Sequence, residues 1–99
     1  MEQKTFYEEA FSRNKGIISD EIQEKLKNTH VAIPGMGGVG GIHATTLARL
    51  GVGSFSVADG DSYELANFNR QTGAFISTID KQKNEVMSTI IHDINPFAQ

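Results

Sequence analysis

The spacing of apolar residues between positions 31 and 58 predicts a strand, a helix and a second strand. The apolar run Val31-Ala32-Ile33 predicts the first strand. Mainly apolar residues then recur at helical spacing and predict a helix over Val39–Leu50; they are Val39, Ile42, Thr46, Leu47 and Leu50. Gly51 is typical of the residue that follows a helix, and the alternation of Phe55 and Val57 with small residues predicts a strand over Ser54–Ala58.

Residues 1–29 predict two short helices on either side of Gly16, because apolar residues recur there at helical spacing in two pieces. We expect Asp20 to cap the second helix. Gln23, three residues later, completes the pattern of a capping box, in which the two residues satisfy each other's backbone N–H groups. We expect Asn28-Thr29 to end this helix before the first strand.

The C-terminal third predicts a polar loop followed by an amphipathic helix. Residues 60–71 are too polar for a core strand and predict an ordered loop with a helical turn over Glu64–Asn69. The helix is predicted over Asp80–Ile94; Lys83 lies away from its apolar stripe, which comprises Val86, Met87, Ile90, Ile91 and Ile94. Asn95-Pro96 ends it, because a residue before proline is disfavoured in helical geometry. Residues 96–99 then approach a further strand.

Four glycines between the first strand and the helix predict a turn that binds phosphate. Gly35, Gly37, Gly38 and Gly40 form the pattern G-x-G-G-x-G, which lets the backbone come close to an anion at the positive end of a helix. Asp59 ends the second strand, about 20 residues beyond the glycines, where an acidic side chain accepts hydrogen bonds from a ribose. The sequence therefore predicts an α/β fold, the opening part of a Rossmann-like sheet. A tight turn without a ligand is the alternative.

Composition narrows the classes of partner. The chain has 99 residues, a formal charge of −3 and no cysteine, so it has no disulfide and no thiol nucleophile. No basic excess favours nucleic acid, and no apolar run is long enough for a membrane span. We therefore expect a cytoplasmic location, with no nucleic-acid or membrane partner. His30, His43 and His92 stand alone, so the sequence predicts no metal site among these residues.

The motifs after the second strand resemble one family. The chain from about Arg13 to Pro96 resembles the ThiF/MoeB/HesA superfamily, the adenylation domains shared with ubiquitin-activating enzymes. The motifs that carry the likeness are the glycine pattern, Asp59-Gly60-Asp61, Asn67-Phe68-Asn69-Arg70-Gln71, Lys83 and Ile94-Asn95-Pro96. A nicotinamide dehydrogenase has no reason to carry D-x-D followed by N-x-x-R-Q.

The resemblance implies ATP-dependent adenylation of a carboxylate, in particular the C-terminus of a ubiquitin-like or sulfur-carrier protein. Arg70 and Lys83 would be the catalytic cations, because fixed positive charge stabilises the negative charge that grows on the phosphate oxygens. Beside the four glycines, the implied nucleotide-binding residues are Asp59, Asp61, Asn67 and Gln71.

The resemblance also implies a homodimer. Arg13 is similar to an N-terminal arginine that enters the ATP site of the neighbouring subunit, although Asn14 stands where the family usually has glutamine. The family's aspartate that binds Mg²⁺ would lie beyond residue 99. We thus expect an N-terminal helical segment (residues 1–29) and the first half of an adenylation domain (residues 30–99), as a fragment inactive alone.

Two other functions fit part of the pattern. An NAD-binding domain of an oxidoreductase accounts for the glycines and Asp59, but it leaves residues 67–71 and Lys83 unexplained. A non-catalytic partner subunit that only dimerises would keep the fold, but it has no need of both Arg70 and Lys83.

Overall fold

The computed structural model describes all 99 residues and confirms the predicted α/β fold. Four helices and two strands follow one another along the chain, with single 3₁₀ turns at Ser12–Asn14, Leu65–Asn67 and Ile76–Thr78. The elements are α1 (Gln3–Ala10), α2 (Asp20–Lys27), β1 (His30–Pro34), α3 (Gly38–Leu50), β2 (Ser54–Ala58) and α4 (Lys83–Ile94). The longest helix, α3, has 13 residues, and none of the helices is long and apolar enough to cross a membrane.

The two strands pair in parallel and pack one face against α3 and α4. Val31 lies beside Phe55 and Ile33 beside Val57 on the covered face. The connection between them is α3, as parallel pairing requires a crossover. Seven buried residues form the core between sheet and helices: Ile33, Met36, Ala44, Ala48, Met87, Ile91 and Ala98.

Gln99 pairs with the free edge of β2. Its N–H donates to the carbonyl of Gly53 at 3.1 Å, and the N–H of Phe55 donates to its carbonyl at 2.7 Å. These two bonds are the pattern of parallel strand pairing. The expected approach to a further strand is therefore present.

The helix α3 and its end at Gly51 are confirmed, but among the five residues whose spacing predicted the helix only Leu47 packs against the core cluster. The helix buries its small residues, Gly41, Ala44 and Ala48, and leaves Val39 and Ile42 67% and 50% exposed. A methyl group on Gly41 would lie 3.8 Å from the Met87 sulfur of α4. Small side chains allow this close approach of α3 to its neighbours, so they occupy the inner face.

The helix α4 begins at Lys83, three residues later than predicted. Asp80 has a positive φ of 68°, which a helix does not allow. Its N–H donates to the carbonyl of Tyr63, and the N–H of Tyr63 donates to the carbonyl of Lys81, each at 3.0 Å. Backbone pairing with the loop thus keeps residues 80–82 out of the helix. Lys83, predicted to lie away from the buried stripe, is buried.

The predicted capping box of α2 is also wrong. Ser19 caps the helix, because its hydroxyl accepts a hydrogen bond from the N–H of Ile22 at 3.2 Å, and Asp20 is the first helical residue. The Gln23 amide instead donates to the carbonyl of Leu50 at 2.8 Å. This bond ties α2 to the C-terminal end of α3.

Candidate functional site

The glycine turn presents open backbone at the start of α3. Gly35 has a φ of 96°, and its N–H donates to the carbonyl of Ala58 at 2.7 Å, so the turn begins where the two strands end. A methyl group on Gly40 would overlap the carbonyl of Gly35, whereas one on Gly37 would meet nothing within 4 Å. The first helical hydrogen bond runs from Gly41 to Gly37, so the amides of residues 37–40 are available to an anion.

Asp59 links the glycine turn to the loop after β2. One carboxylate oxygen accepts from the N–H of Met36 and the other from the N–H of Asp61, each at 2.8 Å. Partial burial acts to raise the pKa of Asp59, but these two hydrogen bonds and the positive charge of Lys83 outweigh it and lower the pKa below its ordinary value. Asp59 is therefore a charged part of the site, and its contact with a ribose stays a prediction.

Lys83 is a largely buried residue whose ammonium group has no carboxylate partner. It is 7% exposed, and the only ion pair in the structure joins Lys25 and Glu21 on the surface of α2. Its backbone N–H donates to the carbonyl of Asp61 at 2.9 Å. Lys83 is the first residue of α4, where the helix dipole disfavours positive charge. Because neither its burial nor its place at the start of α4 stabilises the fold, we interpret the charge of Lys83 as one that interacts with a bound anion.

Arg70 lies against the start of α3. A methyl group on Gly38 would be 3.6 Å from the Cγ atom of Arg70, which places the arginine stem beside the glycine turn. The Nη1 atom donates to the carbonyl of Ala66 at 3.1 Å and to the Oδ1 atom of Asn69 at 3.0 Å. The side chain is exposed, and its other nitrogens make no hydrogen bond within the chain.

The remaining loop candidates differ in their surroundings. Asn67 is buried, and its Oδ1 atom accepts from the N–H of Glu64 at 2.8 Å, so the side chain shapes its own loop. Gln71 is 8% exposed, and its buried Oε1 atom has no hydrogen-bond partner. Asp61 is exposed and contributes its backbone to Asp59 and Lys83.

Arg13 lies far from these residues. Its 3₁₀ turn follows Phe11, whose ring would contact a methyl group on Gly51 at 3.5 Å, so Arg13 belongs to the C-terminal end of α3. The glycine turn lies at the other end of this helix of 13 residues, which is about 20 Å long at 1.5 Å per residue. The structure therefore does not bring Arg13 to the site of its own chain.

Sequence reasoning missed Tyr63. This residue is fully buried, and the ammonium of Lys83 lies 5.8 Å from the centre of its ring. Its hydroxyl has no hydrogen-bond partner. Burial raises the pKa of that hydroxyl, and the negative charge of Asp59 raises it further. No sequence signal separated Tyr63 from Phe68, the other aromatic residue of the same loop.

Comparison with known proteins places these residues in one family. Residues 11–99 match the model of the ThiF family. The chain is 46% identical over 89 residues to the tRNA threonylcarbamoyladenosine dehydratase of Bacillus subtilis, covering 90% of this chain and 35% of that protein. It is 36% identical over 90 residues to the sulfur carrier protein ThiS adenylyltransferase of Escherichia coli, covering 87% of this chain and 36% of that protein.

A solved structure of a relative contains the expected nucleotide. The crystal structure of the Escherichia coli tRNA N6-threonylcarbamoyladenosine dehydratase in complex with ATP superimposes with a TM-score of 0.94 at 28% identity. The match covers 100% of this chain and 41% of that chain. The chain thus spans little more than a third of the length of the relatives it matches.

Proposed function

The chain belongs to the ThiF family, and we propose that the protein uses ATP to adenylate a carboxylate. The observation that carries this proposal is Lys83, a largely buried residue close to the glycine turn whose ammonium group has no carboxylate partner. Asp59 connects Lys83 to the glycine turn. Its carboxylate accepts a hydrogen bond from the N–H of Met36 in the turn, and the charge of Lys83 acts on the same carboxylate. The free amides at the start of α3 and the stem of Arg70 adjoin the same turn.

These groups suit the charge changes of adenylation. A carboxylate oxygen attacks the α-phosphorus of ATP, the bond to the β-phosphate oxygen breaks, and pyrophosphate leaves. Negative charge grows on the phosphate oxygens during this step, so cations fixed beforehand stabilise the transition state more than the ground state. The planar guanidinium of Arg70 can contact two phosphate oxygens, and Lys83 supplies a compact charge.

Residues 1–99 contain no cluster of side chains that could hold a metal ion by themselves. No group of three or more histidine or acidic side chains lies close enough to hold a metal. We propose that the metal of the reacting ATP finds its protein ligand outside residues 1–99, and the step above uses only the cations of this chain.

The relatives favour a carboxylate carried by a tRNA nucleoside. The threonylcarbamoyl group in the name of the Bacillus subtilis relative contains the carboxylate of threonine. Adenylation would turn one of its oxygens into part of AMP, and an internal nucleophile could then attack the acyl carbon, lose its proton and release AMP. The sum removes one water from the nucleoside, as the name dehydratase requires.

This substrate differs from the protein C-terminus that the resemblance suggested. The expectation of no nucleic-acid partner was based on the net charge of these 99 residues, and it does not apply to the rest of a longer protein. The ThiS adenylyltransferase keeps a sulfur-carrier protein as the second candidate. A nicotinamide cofactor has no support among these relatives, and a non-catalytic role does not account for Lys83.

The proposal is tested by incubating the natural protein with ATP and tRNA that contains threonylcarbamoyladenosine. We expect AMP and pyrophosphate to form and the nucleoside to lose the mass of one water. Arg70→Ala should abolish the formation of AMP and pyrophosphate and the loss of water from the nucleoside. Arg49→Ala, which removes an exposed arginine at the other end of α3, should leave all three unchanged. Failure to form pyrophosphate both with this tRNA and with a sulfur-carrier protein would refute adenylation.

We further propose that the site is completed in a homodimer. Arg13 lies at the end of α3 opposite its own glycine turn, and Val39 and Ile42 form an exposed apolar strip along that helix. Two copies packed through antiparallel α3 helices would place Arg13 of each copy beside the turn of the other. Mixing inactive Arg13→Ala and Arg70→Ala proteins should then restore part of the activity; no restoration would refute the shared site.

A further inference from the structure

The ring of Tyr63 lies beneath the ammonium group of Lys83, and we infer that Tyr63 is a positioning residue that holds Lys83 toward the phosphates of ATP. The Nζ atom is 5.8 Å from the ring centre, within the range of a cation–π contact. The inference rests on the proposed role of Lys83 in binding ATP.

Lys83 needs a partner that fixes its direction. A lysine side chain is a flexible four-carbon stem, and no carboxylate lies within 4 Å of this one. Asp59 contributes only a field from a distance, since both of its oxygens already accept backbone hydrogen bonds. The ring face attracts the cation without neutralising it, so the charge remains available to phosphate.

The ring itself is held rigidly. Tyr63 is fully buried, and a methyl group on Gly73 would lie 2.6 Å from the ring carbon that carries the hydroxyl and 3.2 Å from the sulfur of Met87. Backbone hydrogen bonds at 3.0 Å join Tyr63 to Lys81 and Asp80 on the segment that leads into Lys83. Loop and helix start are thus joined both through the backbone and through the ring.

The hydroxyl of Tyr63 has no part in this arrangement. It is buried against Gly73 and makes no hydrogen bond. The aromatic face is therefore the feature that acts on Lys83, and phenylalanine should replace tyrosine. This separates positioning through the ring from a proton-transfer or hydrogen-bonding role of the hydroxyl.

The test compares rings of similar shape and opposite electrostatics in the natural protein. ATP affinity is measured by calorimetry for Tyr63→Phe and for Tyr63→pentafluorophenylalanine, whose fluorines reverse the charge distribution of the ring face. We expect the phenylalanine variant to stay within about twofold of wild type and the fluorinated variant to bind ATP about tenfold more weakly. In the Lys83→Met background, the two rings should give equal affinities.

Each outcome decides a separate question. Equal affinities for the two rings in the presence of Lys83 would overturn the positioning role while leaving the proposed function intact. A loss on fluorination that persists without Lys83 would show that the ring acts by packing, which also overturns the inference. If the wild-type protein binds no ATP, the proposed function itself fails.

Discussion

Replacing Asp59 by asparagine tests how the glycine turn is held to the rest of the site. The carboxylate accepts from two backbone amides at 2.8 Å, one in the turn at Met36 and one in the loop at Asp61. An amide side chain has one acceptor oxygen, so one N–H would face an NH₂ group instead. Loss of a charge-assisted hydrogen bond costs about 1.5–3 kcal/mol, and because Asp59 is only half-buried we expect a loss of about 2 kcal/mol in the free energy of unfolding at pH 7.

The pH dependence of this difference has a fixed sign. The folded state lowers the pKa of Asp59, so its stabilisation is complete above the pKa of the unfolded chain, about 3.9, and is lost as the pH falls through the folded pKa. Urea unfolding of wild type and Asp59→Asn should therefore differ by a constant amount from pH 7 to about pH 5 and converge below about pH 4.

The matched control is Asp61→Asn, which removes the same charge from the same turn. The side chain of Asp61 is exposed and makes no hydrogen bond, so its free energy of unfolding should stay within about 0.5 kcal/mol of wild type. The reasoning is refuted if Asp59→Asn is as stable as this control at pH 7, or if its deficit is unchanged at pH 3.

Other substitutions test the glycines, the buried cation and a helix cap, each by urea unfolding. Gly40→Ala should lower the free energy of unfolding by about 3 kcal/mol, because its methyl group would overlap the carbonyl of Gly35. Gly37→Ala should change this free energy by less than about 1 kcal/mol but weaken ATP binding. Equal stabilities of the two variants would contradict the packing described for Gly40. Lys83→Met should raise the free energy of unfolding by about 0.5 kcal/mol while it weakens ATP binding without abolishing it, since it removes a positive charge from the N-terminal end of α4; a destabilised variant that binds ATP as tightly as wild type would contradict this role. Ser19→Ala should cost about 1 kcal/mol through loss of the α2 cap, and no loss would contradict the capping bond.

Local patterns were sufficient for the strands, the glycine turn and the span of α3. Each of these features depends on periodicity and on residue types within a few positions. The inner face of α3 was not predictable in this way. From hydrophobicity and size alone, Val39 and Ile42 are expected to be buried before Gly41. The close approach of α3 to α4 instead favours the small residue on the inner face, and the whole fold determines this distance.

The burial of Tyr63 and Lys83 depends on pairing between distant segments. Residues 62–63 pair with residues 79–82, and this pairing delays the start of α4 and turns both side chains inward. A polar loop gives no periodic signal for such contacts. The family spacing was sufficient to identify Lys83 as a functional cation. That Lys83 is largely buried and lies over an aromatic ring could be seen only in the structure.

The most direct test of adenylation is to follow one oxygen atom. The carboxylate of the substrate, either threonylcarbamoyladenosine in tRNA or the C-terminus of a sulfur-carrier protein, is labelled with heavy oxygen and incubated with the natural protein and ATP. Adenylation predicts that after turnover the phosphate of AMP contains one labelled oxygen, because the carboxylate attacked the α-phosphorus. Label in inorganic phosphate, with ADP as the nucleotide product, would contradict the account, since it would place the attack on the γ-phosphorus.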